Sequence, residues 1–538
     1  MMEGLAEIRD IGKLTLEQKV GQMILCGFEG TEPSAEAIRG IREHAIGGVL
    51  YRARNVCDTA QAAQLSMALQ AEAKACGQLP LWIAVDQGGG ALARLAEGMA
   101  LMPGVMAIAA GGNKTAAYKA GSISGRELKA LGIHMCLAPV LHESNGPANP
   151  RTGAHFAGEG AEHLGDYGVQ FLRGLQDAGV AAAAKPLPGC AETDTASADG
   201  QSRLDAAHLR PFRQAIEAGV DAILSIPVVE PGKRTEVNPD LAMIRLLRRQ
   251  LDFEGVIVTH CPELDALNDE GMEHAAVMAV EAGADLIVLP VRHDLQLEAL
   301  QSLIEAVRKG RISEERIDRS VRRLLALKER YGVFAAFEPD AGMVSALARV
   351  GCEAHKETAR RISEASTTRV RDEKALLPVS ANGSLYVISV ETAEHLQAAE
   401  AAQAPFTLGR ALRQLGCKVT EFLVPQQEVE ALRHELVRSV RYGQQVVVAT
   451  YNAQFDAAQA ELIRGLLAVG KEPIVVAQCS PCDLLAFPDI STFVAAYESR
   501  PHTLRSAAKV LLGQREATGK LPVAIGTLHA AGSGDSGT

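Results

Sequence analysis

Short apolar runs punctuate the first part of the chain, each followed by a longer stretch in which apolar residues return at helical spacing. The runs are Gly21 to Cys26, Gly47 to Tyr51, Leu79 to Asp86, His134 to Val140, Val180 to Pro186, Ala222 to Pro227, Gly255 to His260 and Asp285 to Pro290. Unbroken apolar runs of this length fit strands covered on both faces. The intervening stretches, such as Gln61 to Ala75 and Glu159 to Asp177, have the pattern of amphipathic helices. Eight strand–helix units close a parallel TIM-type (β/α)8 barrel. A doubly wound open sheet uses the same units, but no glycine-rich dinucleotide fingerprint accompanies them here.

The pattern changes after two further helices, around Leu295 to Arg308 and Ser313 to Arg330. A polar stretch follows and reads as a helical connector. Alternation then resumes with strands at Leu385 to Val390, Val419 to Val424, Gln445 to Tyr451, Ile474 to Gln478 and Thr492 to Tyr497, with helices such as Gln454 to Val469 and Thr503 to Leu512. This predicts a three-layer α/β/α sandwich around a mostly parallel sheet. The expected organisation is a barrel over 1–337, a helical linker over 338–378, the sandwich domain over 379–528 and a flexible tail over 529–538.

Composition narrows the function classes. With 538 residues the chain is long enough for two domains, and 47% hydrophobic with 22% charged residues is ordinary for a globular protein. A net charge of −11 argues against nucleic acid or an anionic membrane as partner. No basic segment leads into an apolar stretch at the start and no apolar run is long enough to span a bilayer, so the expected location is cytoplasmic. Ten scattered cysteines fit reduced thiols there, and Cys479 and Cys482, the one close pair, stand at the end of an expected strand.

In a barrel the chemistry sits at the C-terminal ends of the strands. That directs attention to Asp86 with its following glycines, His142, Lys185 with its loop, and His260. Several segments in order then resemble the two-domain β-N-acetylglucosaminidase branch of the family-three glycoside hydrolases. They are Ile46 to Tyr51, Leu81 to Gly90, Met102-Pro103-Gly104, Ala138 to Leu141, Pro147 to Pro150, Phe253 to Thr259 and, late in the chain, Thr518 to Val523. The set spans nearly the whole chain.

The resemblance implies a retaining mechanism with a carboxylate nucleophile and a proton donor on the opposite face. The family's nucleophilic Asp falls on His260, and its Asp-His acid/base dyad falls on Ala196 and Ala198. No intact catalytic set is left: alanine carries no proton, and imidazole brings no negative charge to an oxocarbenium-like transition state. In the family's sugar-binding motif Asp86 and Arg94 match the first Asp and last Arg, and Lys185 matches the loop lysine. Departures include Gly88 for a glutamate, Ala91 for an arginine, His155 for an arginine and His142 for an aspartate.

The implied protein is a catalytically degenerate homologue with a carbohydrate- or muropeptide-binding or regulatory role, using no cofactor. Asp86, Arg94 and Lys185 are its candidate sugar contacts, although an ion pair knitting the barrel mouth accounts for them equally. Two alternatives stay open. One is an active hydrolase with relocated or substrate-assisted chemistry, using Asp86, Glu192 or Asp194. The other is a structural scaffold that binds only protein. His142, His155, Cys190, His260 and Cys261 bring zinc-type ligands near the mouth, but without short regular spacing they read as a disused pocket rather than a metal site.

Overall fold

The computed structural model describes residues 11–141, 161–187, 206–225, 239–260, 271–337, 347–392, 405–440 and 444–535. Eight parallel strands close a barrel in sequence order: β1 Ile24–Cys26, β2 Gly48–Tyr51, β3 Trp82–Val85, β4 Met135–Cys136, β5 Ala181–Leu187, β6 Ala222–Ser225, β7 Val256–His260 and β8 Leu286–Leu289. Closure is the pairing of β1 with β8, Ile24 opposite Ile287 and Cys26 opposite Leu289. The expected barrel is therefore present.

Its helices start where the sequence supplies caps. Thr15 closes a capping box with Gln18 at the start of Leu16–Gln22, while Ser34, Asp58 and Ser313 each accept a backbone N–H at later helix starts. Each such cap is worth about 1 kcal/mol. The fourth strand is shorter than its apolar run suggests. Pro139 has no N–H to give the ladder, so beyond Cys136 the chain keeps only a single bridge, Val140 beside Lys185.

The second domain is a six-stranded sheet in the order β11-β10-β12-β13-β14-β9. Its strands are β9 Thr368–Asp372, β10 Ser384–Val390, β11 Lys418–Val424, β12 Gln445–Thr450, β13 Ile474–Ala477 and β14 Thr492–Ala495. Strict alternation divides the two faces. Leu385, Val387, Val447 and Ala449 pack with helices Leu408–Gln414 and Pro501–Leu511, whereas Tyr386, Ile388, Val446 and Val448 pack with Val429–Ser439 and Ala457–Ala468. A period of two along each strand gives the three layers directly.

One expectation is corrected. The stretch read as a wholly helical connector holds helix Glu353–Ser366 and then β9, which pairs antiparallel with β14. Charges hid this strand: Arg369 faces Asp535 at 3.3 Å, and Arg371 donates to the Pro488 and Ile490 carbonyls. Only Val370 contributes a large apolar side chain.

The domains share apolar surface. Met106, Ala107 and Ala110, on barrel-domain helix Val105–Ala110, belong to the same buried cluster as Val370, Phe493 and Leu521 of the second domain. No helix among the described residues is long and apolar enough to cross a membrane.

Candidate functional site

The mouth of the barrel is built first by the loop that follows β3. Asp86 emerges from the strand, and Gln87 ties the loop shut. Its Oε1 accepts the backbone N–H groups of Arg94 and Leu95 at 2.9 and 3.0 Å, and its Nε2 donates to the Leu95 carbonyl at 2.8 Å. Arg94 also donates its backbone N–H to the Asp86 carbonyl. Asp86 and Arg94, eight positions apart, are thereby brought back to one spot.

The glycines of this loop are not equivalent. Gly89 and Gly90 have φ of +82° and +52°, and a Cβ on Gly90 would lie 2.6 Å from Glu498 Oε2. A Cβ on Gly88 would meet nothing closer than Leu92 at 3.4 Å. The fold demands glycine at 89 and 90 but not at 88.

Lys185, on β5, reaches across the mouth. Its Nζ donates to Asp86 Oδ1 in a salt bridge that is largely withdrawn from solvent. Burial, reinforced by the nearby Arg52 guanidinium, pulls the Lys185 ammonium below the usual lysine range, to about 7, while the touching Asp86 carboxylate opposes that fall. Arg52 was not among the sequence candidates. It directly follows β2, at the C-terminal end of a barrel strand, and that position was the signal available.

The second domain also holds this mouth. Arg500 donates to the Gly90 carbonyl through Nε and Nη2, at 3.2 and 3.0 Å, and to the Ala93 carbonyl at 3.2 Å. Glu498 accepts the Gly104 N–H at 3.0 Å and the Thr503 hydroxyl at 2.7 Å. Composition and motif spacing did not point to either residue, because their partners across the junction are backbone groups some 400 positions away in sequence.

His260 is the last residue of β7, opposite Val288 of β8, so its backbone stands at the rim where the candidate nucleophile position was expected. Ala196 and Ala198 lie outside the described residues. So do His142, His155, Cys190 and Cys261, and the carboxylates Glu192 and Asp194. Cys479 and Cys482 are buried in the turn after β13, where Ser480 Oγ accepts the Cys482 N–H.

A closed (β/α)8 barrel with a charged mouth at its strand ends, capped on one side by an α/β/α domain, defines a two-domain barrel protein with its site beside the domain junction. Comparison with known proteins specifies the class. Residues 15–327 match the model of the glycosyl hydrolase family 3 N-terminal domain, and the chain belongs to that family.

Beta-hexosaminidase A of Pseudoalteromonas piscicida is 26% identical over 95% of this chain and 97% of its own length. The beta-N-acetylglucosaminidase/beta-glucosidase of Cellulomonas fimi is also 26% identical, over 97% of this chain and 96% of its own. Among solved structures, a family 3 beta-N-acetylglucosaminidase from Paenibacillus sp. FPU-7 superposes with a TM-score of 0.82 at 39% identity, covering 95% of this chain and 99% of that one.

Proposed function

We propose that this chain is a catalytically degenerate family 3 protein that binds an N-acetylglucosamine-type sugar or a muropeptide without cleaving it by the ordinary retaining route. The carrying observation is the end of β7: the strand delivers His260 to the barrel rim. In the resembling family that position holds the carboxylate that attacks the anomeric carbon. An imidazole there supplies no anionic oxygen to balance positive charge at the reacting carbon. The alignment of Ala196 and Ala198 with the proton-relay positions supports the same reading, since both halves of the mechanism are then missing together.

Binding rests on Asp86, Arg94 and Lys185. A carboxylate and an ammonium held side by side can accept from and donate to adjacent sugar hydroxyls, and burial strengthens both bonds. The names of the relatives support an N-acetylhexosamine as the sugar. The ten scattered cysteines support work in a reducing compartment such as the cytoplasm.

Two measurements on the purified protein test this. Calorimetry with N-acetylglucosamine is expected to register binding that is lost in Asp86→Asn. An aryl β-N-acetylglucosaminide is expected to show no turnover above the uncatalysed rate. Turnover that falls in Glu192→Ala or Asp194→Ala would replace this reading with relocated chemistry. Turnover lost in His260→Ala would show that the imidazole works after all.

A further inference from the structure

Helices Leu408–Gln414 and Pro501–Leu511 lie together on one face of the second domain's sheet. Phe406, just ahead of the first of them, carries a guanidinium from each helix against its ring. The Arg505 Cζ lies 4.5 Å from the ring centroid and the Arg410 Cζ lies 5.4 Å from it. Such contacts restrain a side chain that would otherwise sweep through solvent. Gln414 Oε1 restrains Arg505 further by accepting from its Nε at 3.3 Å.

Two like charges therefore share one ring, and among the described residues neither forms a salt bridge. The acids beside these helices are committed elsewhere. Glu421 takes the Gly409 N–H and Arg413 at 2.7 Å, and Glu364 takes Arg360, Lys509 and Arg515. Apart from the Gln414 bond, no acceptor among the described residues meets an N–H of either guanidinium. Arg410 is exposed and Arg505 half-buried. Burial, and after it the Arg410 charge, holds the Arg505 guanidinium below the usual arginine range. His502, three positions earlier on the same helix, is pulled down by burial and then by Arg505, Arg360 and Lys356, with Glu353 opposing. The field over this face is positive, in a chain whose net charge is −11.

We infer that Arg410 and Arg505 form an oxyanion site on the second domain whose ligand class is a phosphate monoester. Two guanidinium forks present more N–H donors than the two oxygens of a carboxylate can receive. A phosphate monoester offers three free oxygens and close to two negative charges to set against two positive ones. The site lies outside the barrel, so it stands whether or not a sugar docks at Asp86 and Lys185.

The probes are inorganic phosphate and glucose 6-phosphate, titrated calorimetrically at constant ionic strength and about pH 7.5, with acetate as the carboxylate control. Wild type is expected to bind both phosphates at one site and acetate at least about tenfold more weakly. The double variant Arg410→Gln, Arg505→Gln should bind none of them. Its thermal midpoint without phosphate reports whether it is folded. Arg505→Lys keeps the charge, loses the fork and disturbs the surface least, so it carries the test should the double variant unfold. It is expected to bind glucose 6-phosphate about tenfold more weakly than wild type.

Phosphate affinity that survives in the folded double variant, or is undiminished in Arg505→Lys, overturns the site. Acetate bound as tightly as phosphate means an adventitious ion only and overturns the assignment. Inorganic phosphate bound without glucose 6-phosphate overturns the monoester as ligand.

Discussion

At the scale of single residues, two buried lysines do different work at the two ends of the barrel. Lys185 faces a carboxylate at the mouth. Lys328 is fully buried at the other end and donates to Gln22 Oε1, the Gly47 carbonyl and the Pro80 carbonyl at 2.7, 3.2 and 2.6 Å. Those carbonyls precede β2 and β3, so one side chain ties together the starts of two strands. With no carboxylate among these three acceptors, burial lowers the Lys328 ammonium to about 7.

The unfolded chain, with lysine near 10.4, then holds more protons than the folded one between about pH 7 and pH 10. Stability from this group therefore rises with pH through that window, by at most about 1 kcal/mol per unit. Denaturant titrations of wild type and Lys328→Met at pH 7 and pH 9 should show the difference moving in favour of wild type at the higher pH. The glycines offer a second residue-level test. Gly90→Ala should cost about 1–3 kcal/mol, since it combines a positive φ with a clash against Glu498, whereas Gly88→Ala should be near neutral. Thermal unfolding of the pair separates the glycine the backbone requires from the one it does not.

At the scale of elements, the loop after β3 is held from both sides. Gln87 closes it from within the barrel, and Arg500 grips two of its carbonyls from the start of helix Pro501–Leu511. Hydrogen bonds from a charged donor are worth about 1.5–3 kcal/mol. Removing the guanidinium takes its bonds from the Ala93 carbonyl and from the Gly90 carbonyl, which keeps only the Ala93 N–H among these donors, and loosens the loop from the second domain. Arg500→Ala is therefore expected to quicken amide exchange at Gly90, Arg94 and Leu95 about tenfold. Exchange at Ile287, whose N–H donates to Met23 inside the barrel, should stay unchanged. Equal rates at the loop would mean that Gln87 alone suffices.

At the scale of the whole molecule, the second domain grips the loop beside the barrel mouth, and the loss of chemistry proposed above belongs to the barrel alone. If the scaffold is otherwise intact, restoring the carboxylate at 260 and the dyad at 196 and 198 should restore catalysis. The triple variant His260→Asp, Ala196→Asp, Ala198→His is expected to hydrolyse an aryl β-N-acetylglucosaminide at least about 10²-fold faster than wild type. His260→Asp alone should gain far less, because the nucleophile and the proton relay act as a unit. A triple variant as inert as the wild type would mean that the mouth has lost more than these three side chains.

Local pattern was enough for the architecture. Eight apolar runs closed as a barrel, and alternation in the later strands sorted Leu385 from Tyr386 and Val447 from Val446 onto opposite layers, because side-chain period follows directly from backbone geometry. It also directed attention to Asp86 and Lys185, since a strand end in a barrel is a known place, whereas Arg94 came only from the resemblance to the family's sugar-binding motif. It missed β9, whose inward face offers one large apolar residue among charges. An ion pair between Lys185 and Asp86 was one of the readings left open, and the fold forms it, but nothing local could reveal that Arg52 would stand beside them or that Arg500 and Glu498 would hold the mouth from the other domain. Those relations join residues tens to hundreds of positions apart, often through backbone atoms that every residue carries alike, and only the folded chain brings them within bonding distance.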